Sequence, residues 1–169
     1  MSDVRLTPTS YVVLGLIEWL QPATPYDLKQ AAAATVSRLW SLPHTQLYSE
    51  CARLAESGHL SERREESGRR RRIYRLTAAG RKALDAWRSQ PTSETYEIRD
   101  AGLLKLLFGA DPRTLAERQL EAHQERLEEL ERQHSAADGV PAGARLAMEA
   151  GIGHEREYLR FWERVRDGG

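Results

Sequence analysis

The chain has 169 residues, and its 25 Lys and Arg balance its 25 Asp and Glu, so the formal net charge is zero. This length allows one domain or two small ones. With 40% hydrophobic and 30% charged residues, the chain can bury a core and still expose much charged, helical surface. The composition excludes a protein that is acidic or basic throughout.

The neutral total conceals two halves of opposite charge. Residues 1–90 carry 14 Lys and Arg against 9 Asp and Glu, a net charge of +5, whereas residues 91–169 carry 11 against 16, a net charge of −5. Residues 63–75 alone hold seven Arg and two Glu. Such asymmetry favours a polyanion-binding module joined to a second region. The alternative for the charge run by itself is a solvated arginine-rich loop.

Cysteine content and hydropathy restrict the class of protein. Cys51 is the single cysteine, which excludes an internal disulfide and a multi-cysteine metal centre. The apolar stretch at residues 11–20 is too short to span a bilayer and lacks the flanks of a signal peptide. We therefore expect a cytoplasmic protein with no metal, no cofactor and no membrane partner. Cys51 could act as a redox switch, but its place among apolar residues favours an inert core thiol.

Two helices are predicted near the N-terminus. Thr7-Pro8 is a helix start signal, and Gln21-Pro22 ends this first helix, whose apolar residues 12, 13, 16, 17 and 20 share one face. Residues 24–27 (Thr-Pro-Tyr-Asp) form a capping box that opens a second helix, over residues 25–36. Ser41-Leu42-Pro43 then breaks the second helix and starts a third.

The third helix has two different faces. Leu47, Cys51 and Leu54 are spaced by four and three residues, which predicts a buried stripe. Ser57-Gly58 ends the helix. The face opposite the stripe is polar, and it carries Thr45, Ser49 and Arg53, with His44 and Gln46 in the first turn.

A β-hairpin and a fourth helix follow. The runs at residues 60–64 and 71–76 are short and extended, and residues 65–68 supply the turn between them. Alternation along the second strand places Arg72, Tyr74 and Leu76 on one side, with residues 73 and 75 on the other. Thr77 then caps a helix in which Leu84 and Trp87 are the expected buried positions.

Residues 90–93 (Gln-Pro-Thr-Ser) are the expected boundary between two domains, 1–90 and 91–169. The second domain is predicted to be helical throughout. An apolar helix covers residues 98–108 and is closed by Gly109, and Asp111-Pro112 opens the next helix. That helix contains a heptad-like seam made of Ala116, Leu120, His123, Leu127, Leu130 and His134.

The final predicted helix, at about residues 144–166, has apolar side chains over a wide arc. A stripe of Met148, Ile152, Leu159 and Trp162 is flanked by further aromatic and aliphatic residues. Such an arc needs cover on more than one side, so we expect a partner chain, with packing inside one chain as the alternative. The expected dimer interface comprises Leu120, Leu127, Leu130, Ile152, Leu159 and Trp162.

The order of three helices, an arginine-rich hairpin and a fourth helix is that of a winged helix-turn-helix. Residues 42–60 (LPHTQLYSECARLAESGHL) and 69–84 (RRRRIYRLTAAGRKAL) resemble the recognition helix and the wing of the PadR family of transcriptional regulators. The resemblance covers about residues 10–90, and its specificity lies in combining Tyr-x-Leu-Thr-x-x-Gly with Leu47-Tyr48 and Gly58-x-Leu60. Residues 98–108 and the helices after them resemble the shorter-tailed, actinobacterial-type members.

The resemblance implies a mainly α fold, in which a winged helix-turn-helix DNA-binding domain precedes a helical, coiled-coil-like dimerisation region. Polar side chains at the start of the recognition helix can contact base edges in the major groove. In the family the residue matching Tyr48 lies near the DNA backbone, although its hydroxyl could instead cap the core. Arginines in the wing add affinity by displacing counterions. The candidate DNA-binding residues are His44, Thr45, Gln46, Tyr48, Ser49, Arg53, Arg69, Arg70, Arg71 and Arg72.

We therefore expect a homodimeric repressor that binds double-stranded DNA at a palindromic operator. In resembling proteins a cavity between the two halves admits aromatic molecules, which suggests a small aromatic effector here. The candidate effector-binding residues, each with a core position as its alternative, are Trp40, Trp87, Tyr96, Phe108, Phe161 and Trp162.

Two other functions are weighed against this one. An enzyme is not expected, because the chain has no phosphate-binding glycine loop and no recognisable catalytic constellation. A winged-helix module that binds protein instead of DNA is the main alternative. His123 and His134 are eleven residues apart on the seam and could not share a metal ion within one chain.

Overall fold

A computed structural model of the chain describes residues 4–36, 40, 43–65, 70–95 and 97–168. The chain is mainly helical, with one two-stranded antiparallel sheet, as expected. It divides into two compact units, Met1–Ser93 and Glu94–Gly169. Within the described ranges, no helix combines the length and the apolar character needed to cross a membrane.

The first unit begins with two helices, α1 (Pro8–Leu20) and α2 (Pro25–Ala34), that start in the same way. The side chain of Thr7 accepts a hydrogen bond from the backbone of Ser10, whose own hydroxyl accepts from the backbone of Thr7. Thr24 and Asp27 repeat this exchange before α2. Each pair satisfies N–H groups that lack partners within the helix, so both predicted starts are confirmed.

The remaining elements of the first unit are α3 (His44–Glu56), β1 (Leu60–Arg64), β2 (Arg72–Leu76) and α4 (Ala78–Arg88). The two strands pair antiparallel, which confirms the hairpin. Ala23 and Tyr74 attach the hairpin to the connection between α1 and α2, because each backbone N–H donates to the other's carbonyl, at 3.1 and 2.8 Å. Residues 41–42 of the predicted break and residues 66–68 of the predicted hairpin turn lie outside the described residues.

The core of the first unit contains the predicted stripe of α3, since Leu47, Cys51 and Leu54 are fully buried. Leu20, the last residue of α1, is 39% exposed. The expected burial of Trp87 is wrong. Trp87 is 45% exposed, because one face of its ring stacks on Tyr11, with centroids 4.8 Å apart, and the rest remains open.

The second unit consists of α5 (Ala101–Leu107), α6 (Pro112–Ser135) and α7 (Ala142–Asp167). The predicted start of α5 at residue 98 is wrong. The side chain of Asp100 accepts a hydrogen bond from the backbone of Leu103, which fixes the helix start three residues later. The predicted start of α6 is confirmed by the cap from Asp111 to Thr114. α6 and α7 pack against each other along their lengths.

Gly80, in the first turn of α4, lies where the backbone of His59 passes close by. A Cβ atom at this position would come within 2.1 Å of the carbonyl oxygen of His59. The hydroxyl of Thr77 donates to the same region, 2.8 Å from the carbonyl oxygen of Gly58 and 2.9 Å from that of His59. The Leu-Thr-x-x-Gly sequence therefore places the first turn of α4 in direct contact with the backbone that follows α3.

We predict that Gly80→Ala lowers the free energy of unfolding by at least about 2 kcal/mol, because a backbone segment must move to admit the methyl group. The matched control is Gly15→Ala, a helix position in the same unit with no other atom within 4 Å of the added Cβ. The control should raise the free energy of unfolding by up to about 1 kcal/mol. Equilibrium urea unfolding measures both, and equal stabilities of the two variants would contradict the close approach.

Candidate nucleic-acid interface

One side of α3 presents small polar side chains to solvent. Thr45, Gln46 and Ser49 are exposed on the side opposite the buried stripe. The Ser49 hydroxyl lies 3.2 Å from the carbonyl oxygens of Thr45 and Gln46, so its proton is used within the helix and its lone pairs remain as acceptors. The backbone of His44 begins α3, but its side chain lies outside the described residues. The predicted polar face is therefore present on this helix.

Tyr48 lies on the surface of α3 and is 48% exposed. Within the described part of the chain, its hydroxyl has no hydrogen-bond partner in the core. This placement fits a contact with an external group better than the alternative of a hydroxyl that caps the helix-turn-helix core.

Arg53 differs from the other polar residues of α3, because its guanidinium is already bonded within the protein. Nε and Nη2 donate to the two carboxylate oxygens of Glu50, at 2.9 and 2.5 Å. Nη2 also donates to the Ser10 hydroxyl at 2.9 Å, and Nη1 to the backbone carbonyl of Arg5 at 3.3 Å. The side chain therefore links α3 to the start of α1.

Glu50 is the buried member of this cluster. Its side chain is 11% exposed, and Ser10 beside it is fully buried. Burial acts to raise the pKa of Glu50, but the hydrogen bonds from Arg53 and Ser10 and the charge of Arg53 outweigh burial and lower this pKa. The carboxylate is thus ionised and satisfied in the folded protein.

The hairpin carries arginines on both of its faces. The register places Glu62 opposite Tyr74 and Arg64 opposite Arg72, which confirms the predicted alternation. On this face Arg64 Nε donates to Glu62 at 3.1 Å, the Tyr74 hydroxyl donates to Glu62 at 3.1 Å, and Arg72 lies 3.6 Å from the same carboxylate. Partial burial acts to raise the pKa of Glu62, but these partners outweigh it and lower the pKa. One acidic residue therefore offsets part of the positive charge of the hairpin.

The four arginines proposed at the hairpin differ in their surroundings. Arg69 lies outside the described residues. Arg70 is exposed and adopts a left-handed backbone conformation, with φ of 47°. Arg71 is exposed, with Nε 3.6 Å from a carboxylate oxygen of Glu65. Arg72 is exposed and faces Glu62 as described above.

The other face of the hairpin holds two arginines that the predicted site left out. Arg63 and Arg75 are exposed on the face that also carries Ser61 and Ile73. Within the described residues, neither has a carboxylate at ion-pair distance. The signal was present in the period-two alternation of the strands, which separates residues 63 and 75 from Glu62.

The predicted dimer residues are largely covered within one chain. Leu127, Leu130 and Ile152 are buried between α6 and α7, with Leu159 packed against them. Trp162 is fully buried, and Leu120 is half-buried. The heptad pattern therefore marks packing between two helices of the same chain, and the role of these residues in a dimer stays a prediction.

The seam histidines have carboxylate neighbours. Nδ1 of the buried His123 lies 2.5 Å from Oε2 of Glu155, which Arg126 approaches at 3.5 Å. Nε2 of His134 lies 3.4 Å from Oε1 of Glu149. Among the residues that the structure describes, no group of three or more His, Cys, Asp or Glu side chains could hold a metal ion.

The predicted effector residues are spread over both units. Trp40 and Trp87 lie in the first unit and are about half exposed. In the second unit Phe108 is 80% exposed, and Phe161 packs edge-on against Trp162 with centroids 5.0 Å apart. Tyr96 lies outside the described residues. Phe161 and Trp162, which are consecutive in α7, are in ring contact, and the role of the candidate residues in binding a ligand stays a prediction.

Cys51 lies in the middle of the buried stripe of α3. Burial, with a smaller contribution from the charge of Glu50, raises the pKa of its thiol to about 12. Because the thiolate is the reactive form, this environment favours the inert core thiol over the redox switch.

Comparisons with known proteins match both the sequence and the fold. Residues 13–86 match the model of the Transcriptional regulator PadR-like family. The negative transcriptional regulator PadR of Bacillus subtilis (strain 168) is 25% identical, and the match covers 92% of this chain and 93% of that protein.

Three solved structures with a similar fold each match 94% of this chain and 96% of their own. B. subtilis PadR in complex with operator DNA has a TM-score of 0.82 at 22% identity. The same PadR in complex with p-coumaric acid has a TM-score of 0.77 at 21% identity. The Vibrio cholerae virulence activator AphA has a TM-score of 0.68 at 22% identity. These matches confirm the winged-helix fold expected from the sequence.

Proposed function

Since this chain belongs to the PadR-like family of transcriptional regulators, we propose that it is a cytoplasmic, homodimeric repressor that binds a palindromic DNA operator. The observation that carries the proposal is the two-sided character of α3. Its apolar stripe is buried, and its opposite side presents Thr45, Gln46 and Ser49 to solvent. These are side chains able to contact base edges in the major groove.

The hairpin supplies the second part of the proposed DNA contact. α3 packs against β1, so both features belong to one compact unit. Exposed arginines at residues 63, 70, 71, 72 and 75 would attract phosphates and give affinity that is independent of sequence. We therefore propose that residues 1–90 form the DNA-binding domain.

We propose that residues 91–169 form the dimerisation domain. A dimer with two-fold symmetry contacts two half-sites about 34 Å apart, which gives more sequence specificity than a monomer of this size. Since much of the predicted seam is covered within the chain, we propose that the surface covered by a second copy includes the exposed apolar residues of the second unit. These are Ile98, Leu104, Leu107, Phe108 and Leu146.

Selection of duplexes from a random library, followed by salt titration of the selected operator, tests this function. We expect two inverted half-sites spaced by about one helical turn, and affinity that falls steeply with salt. The triple variant Arg70, Arg71 and Arg72→Ala should reduce the slope of log K against log[salt] by up to about 0.9 for each phosphate that is no longer neutralised. Gln46→Ala should instead reduce preference for the operator and leave the slope unchanged.

The matched control is a triple variant in which three exposed arginines of the second unit, Arg113, Arg118 and Arg160, are each replaced by alanine. It changes the net charge by the same amount as the wing variant, and its salt slope should equal that of the wild type. If the wild-type protein binds no duplex in a salt-dependent manner, DNA binding is wrong and the winged-helix protein-interaction module is the better explanation.

We predict that Glu62→Gln tightens binding to nonspecific duplex DNA about threefold to tenfold at low salt, because it releases Arg64 and Arg72 from a competing carboxylate. Glu125→Gln, which makes the same charge change in the second unit, should leave the affinity unchanged. Fluorescence anisotropy with a labelled duplex measures both variants. Weaker binding by Glu62→Gln would mean that the carboxylate mainly holds the arginines in a productive position.

We also propose that a small aromatic molecule releases the protein from DNA. The support is the aromatic pair Phe161 and Trp162 in the second unit, together with the complex of a structurally similar PadR with p-coumaric acid. In a titration of the protein–operator complex with phenolic acids, p-coumaric acid among them, we expect dissociation by at least one compound. Phe161→Leu should keep operator affinity and lose this response. If no compound in the panel changes operator affinity, the effector proposal is wrong.

A further inference from the structure

We propose that Arg53 is a positioning residue that orients the recognition helix α3, and that it does not contact DNA itself. The inference rests on the proposed DNA-binding function. It reassigns one of the polar residues of α3, and it gives Glu50 and Ser10 a part in operator recognition.

Arg53 joins α3 to the start of α1. Its guanidinium binds both carboxylate oxygens of Glu50, one turn earlier in the same helix. The other bonds reach Ser10 and the carbonyl of Arg5, which are 43 and 48 residues away in the sequence. All three nitrogens of the guanidinium therefore donate within the protein, and they connect α3 to the start of α1.

The hydrogen bonds of Arg53 add a directional restraint to the apolar packing of α3. Burial of the stripe of α3 fixes how deeply the helix sits, but apolar contacts are not directional. Hydrogen bonds weaken steeply as their angle departs from linearity, so a planar fork with several hydrogen bonds restrains rotation and sliding of the helix. Gln46 and Ser49 precede Arg53 by seven and four residues, on the same side of α3. A restraint at Arg53 therefore fixes the direction of the side chains proposed to contact bases.

The ion pair with Glu50 disfavours a contact between Arg53 and a DNA phosphate. To reach DNA, the guanidinium would have to leave Glu50, whose side chain is 11% exposed, whereas that of Arg53 is 34% exposed. Removing one partner of a buried ion pair is strongly destabilising, whereas an exposed ion pair contributes little. Exchanging the bond to Glu50 for a bond to phosphate is therefore unfavourable. The exposed arginines of the hairpin can bind phosphate without this loss.

The test compares operator affinity, affinity for nonspecific duplex and salt slope for Glu50→Gln, Arg53→Met and the double variant. We expect each single variant to lose operator affinity roughly tenfold, because misplaced side chains no longer reach the base edges. The double variant should lose no more than either single variant, since both break the same pair. Nonspecific affinity and the salt slope should stay at the wild-type values. Arg53→Lys should show the same low operator affinity as Arg53→Met, because an ammonium group cannot form the planar fork of hydrogen bonds.

A phosphate contact would give a different pattern, and it would overturn the proposal. In that case Arg53→Met would reduce the salt slope by about 0.9, and Glu50→Gln would tighten binding by releasing the arginine. Arg63→Met, at an exposed hairpin arginine, serves as the comparison, because it should lower the slope and keep the preference for the operator.

Ser10→Ala keeps the test decisive if the substitutions at Glu50 or Arg53 prevent folding. It removes an acceptor from Arg53, the capping acceptor for the backbone of Thr7 and a hydrogen bond to Glu50, and it leaves the ion pair between Arg53 and Glu50 in place. We expect a smaller loss of operator preference with the same nonspecific affinity, in protein shown to be folded by thermal unfolding. If the affinities for the operator and for nonspecific duplex fall by the same factor, Ser10 and its bond to Arg53 serve only the stability of the fold, and the proposal is wrong. A wild-type protein that binds no duplex is a separate result, which contradicts the proposed function itself.

Discussion

The burial of one side of α3 is the constraint on which the surface of the first unit depends. Leu47, Cys51 and Leu54 are fully buried in a core shared with α1 and α2. Because a helix has 3.6 residues per turn, burying these three positions turns Thr45 and Ser49 to solvent. Cys51 at the centre of the stripe is accordingly a packing residue. The polar surface of α3 is thus a consequence of how its apolar side packs.

The hairpin depends on the same core through Tyr74. This side chain is buried, its backbone is bonded to Ala23 in both directions, and its hydroxyl donates to Glu62. The Gln21 side chain adds a bond by accepting from the backbone of Leu76 at 3.0 Å. The second strand is therefore fixed by main chain and side chain to the connection between α1 and α2. α3 and the base of the hairpin thus pack on the same core.

Local patterns in the sequence predicted the elements, because helix caps, the apolar stripe of α3 and strand alternation depend on residues a few positions apart. The structure shows that Trp87 is more exposed than the pattern indicated, since exposure depends on which distant element covers a side chain. The bonds from Arg53 to Ser10 and to the carbonyl of Arg5 were not predictable for the same reason. The heptad seam was real, but an apolar seam has the same pattern whether a helix of the same chain or of a second chain covers it.

Ion pairs decide where the charge of the basic half can act. On α4, Arg81 and Arg88 both form ion pairs with Glu18 of α1, which offsets part of their positive charge. Arg53 is offset by Glu50 in the same way. Because paired charges contribute little to the field at a distance, the hairpin arginines with no carboxylate at ion-pair distance among the described residues, Arg63, Arg70 and Arg75, contribute most to the positive field of the hairpin. Neutral net charge is therefore compatible with polyanion binding, since the pairing of charges and not their sum determines the local field.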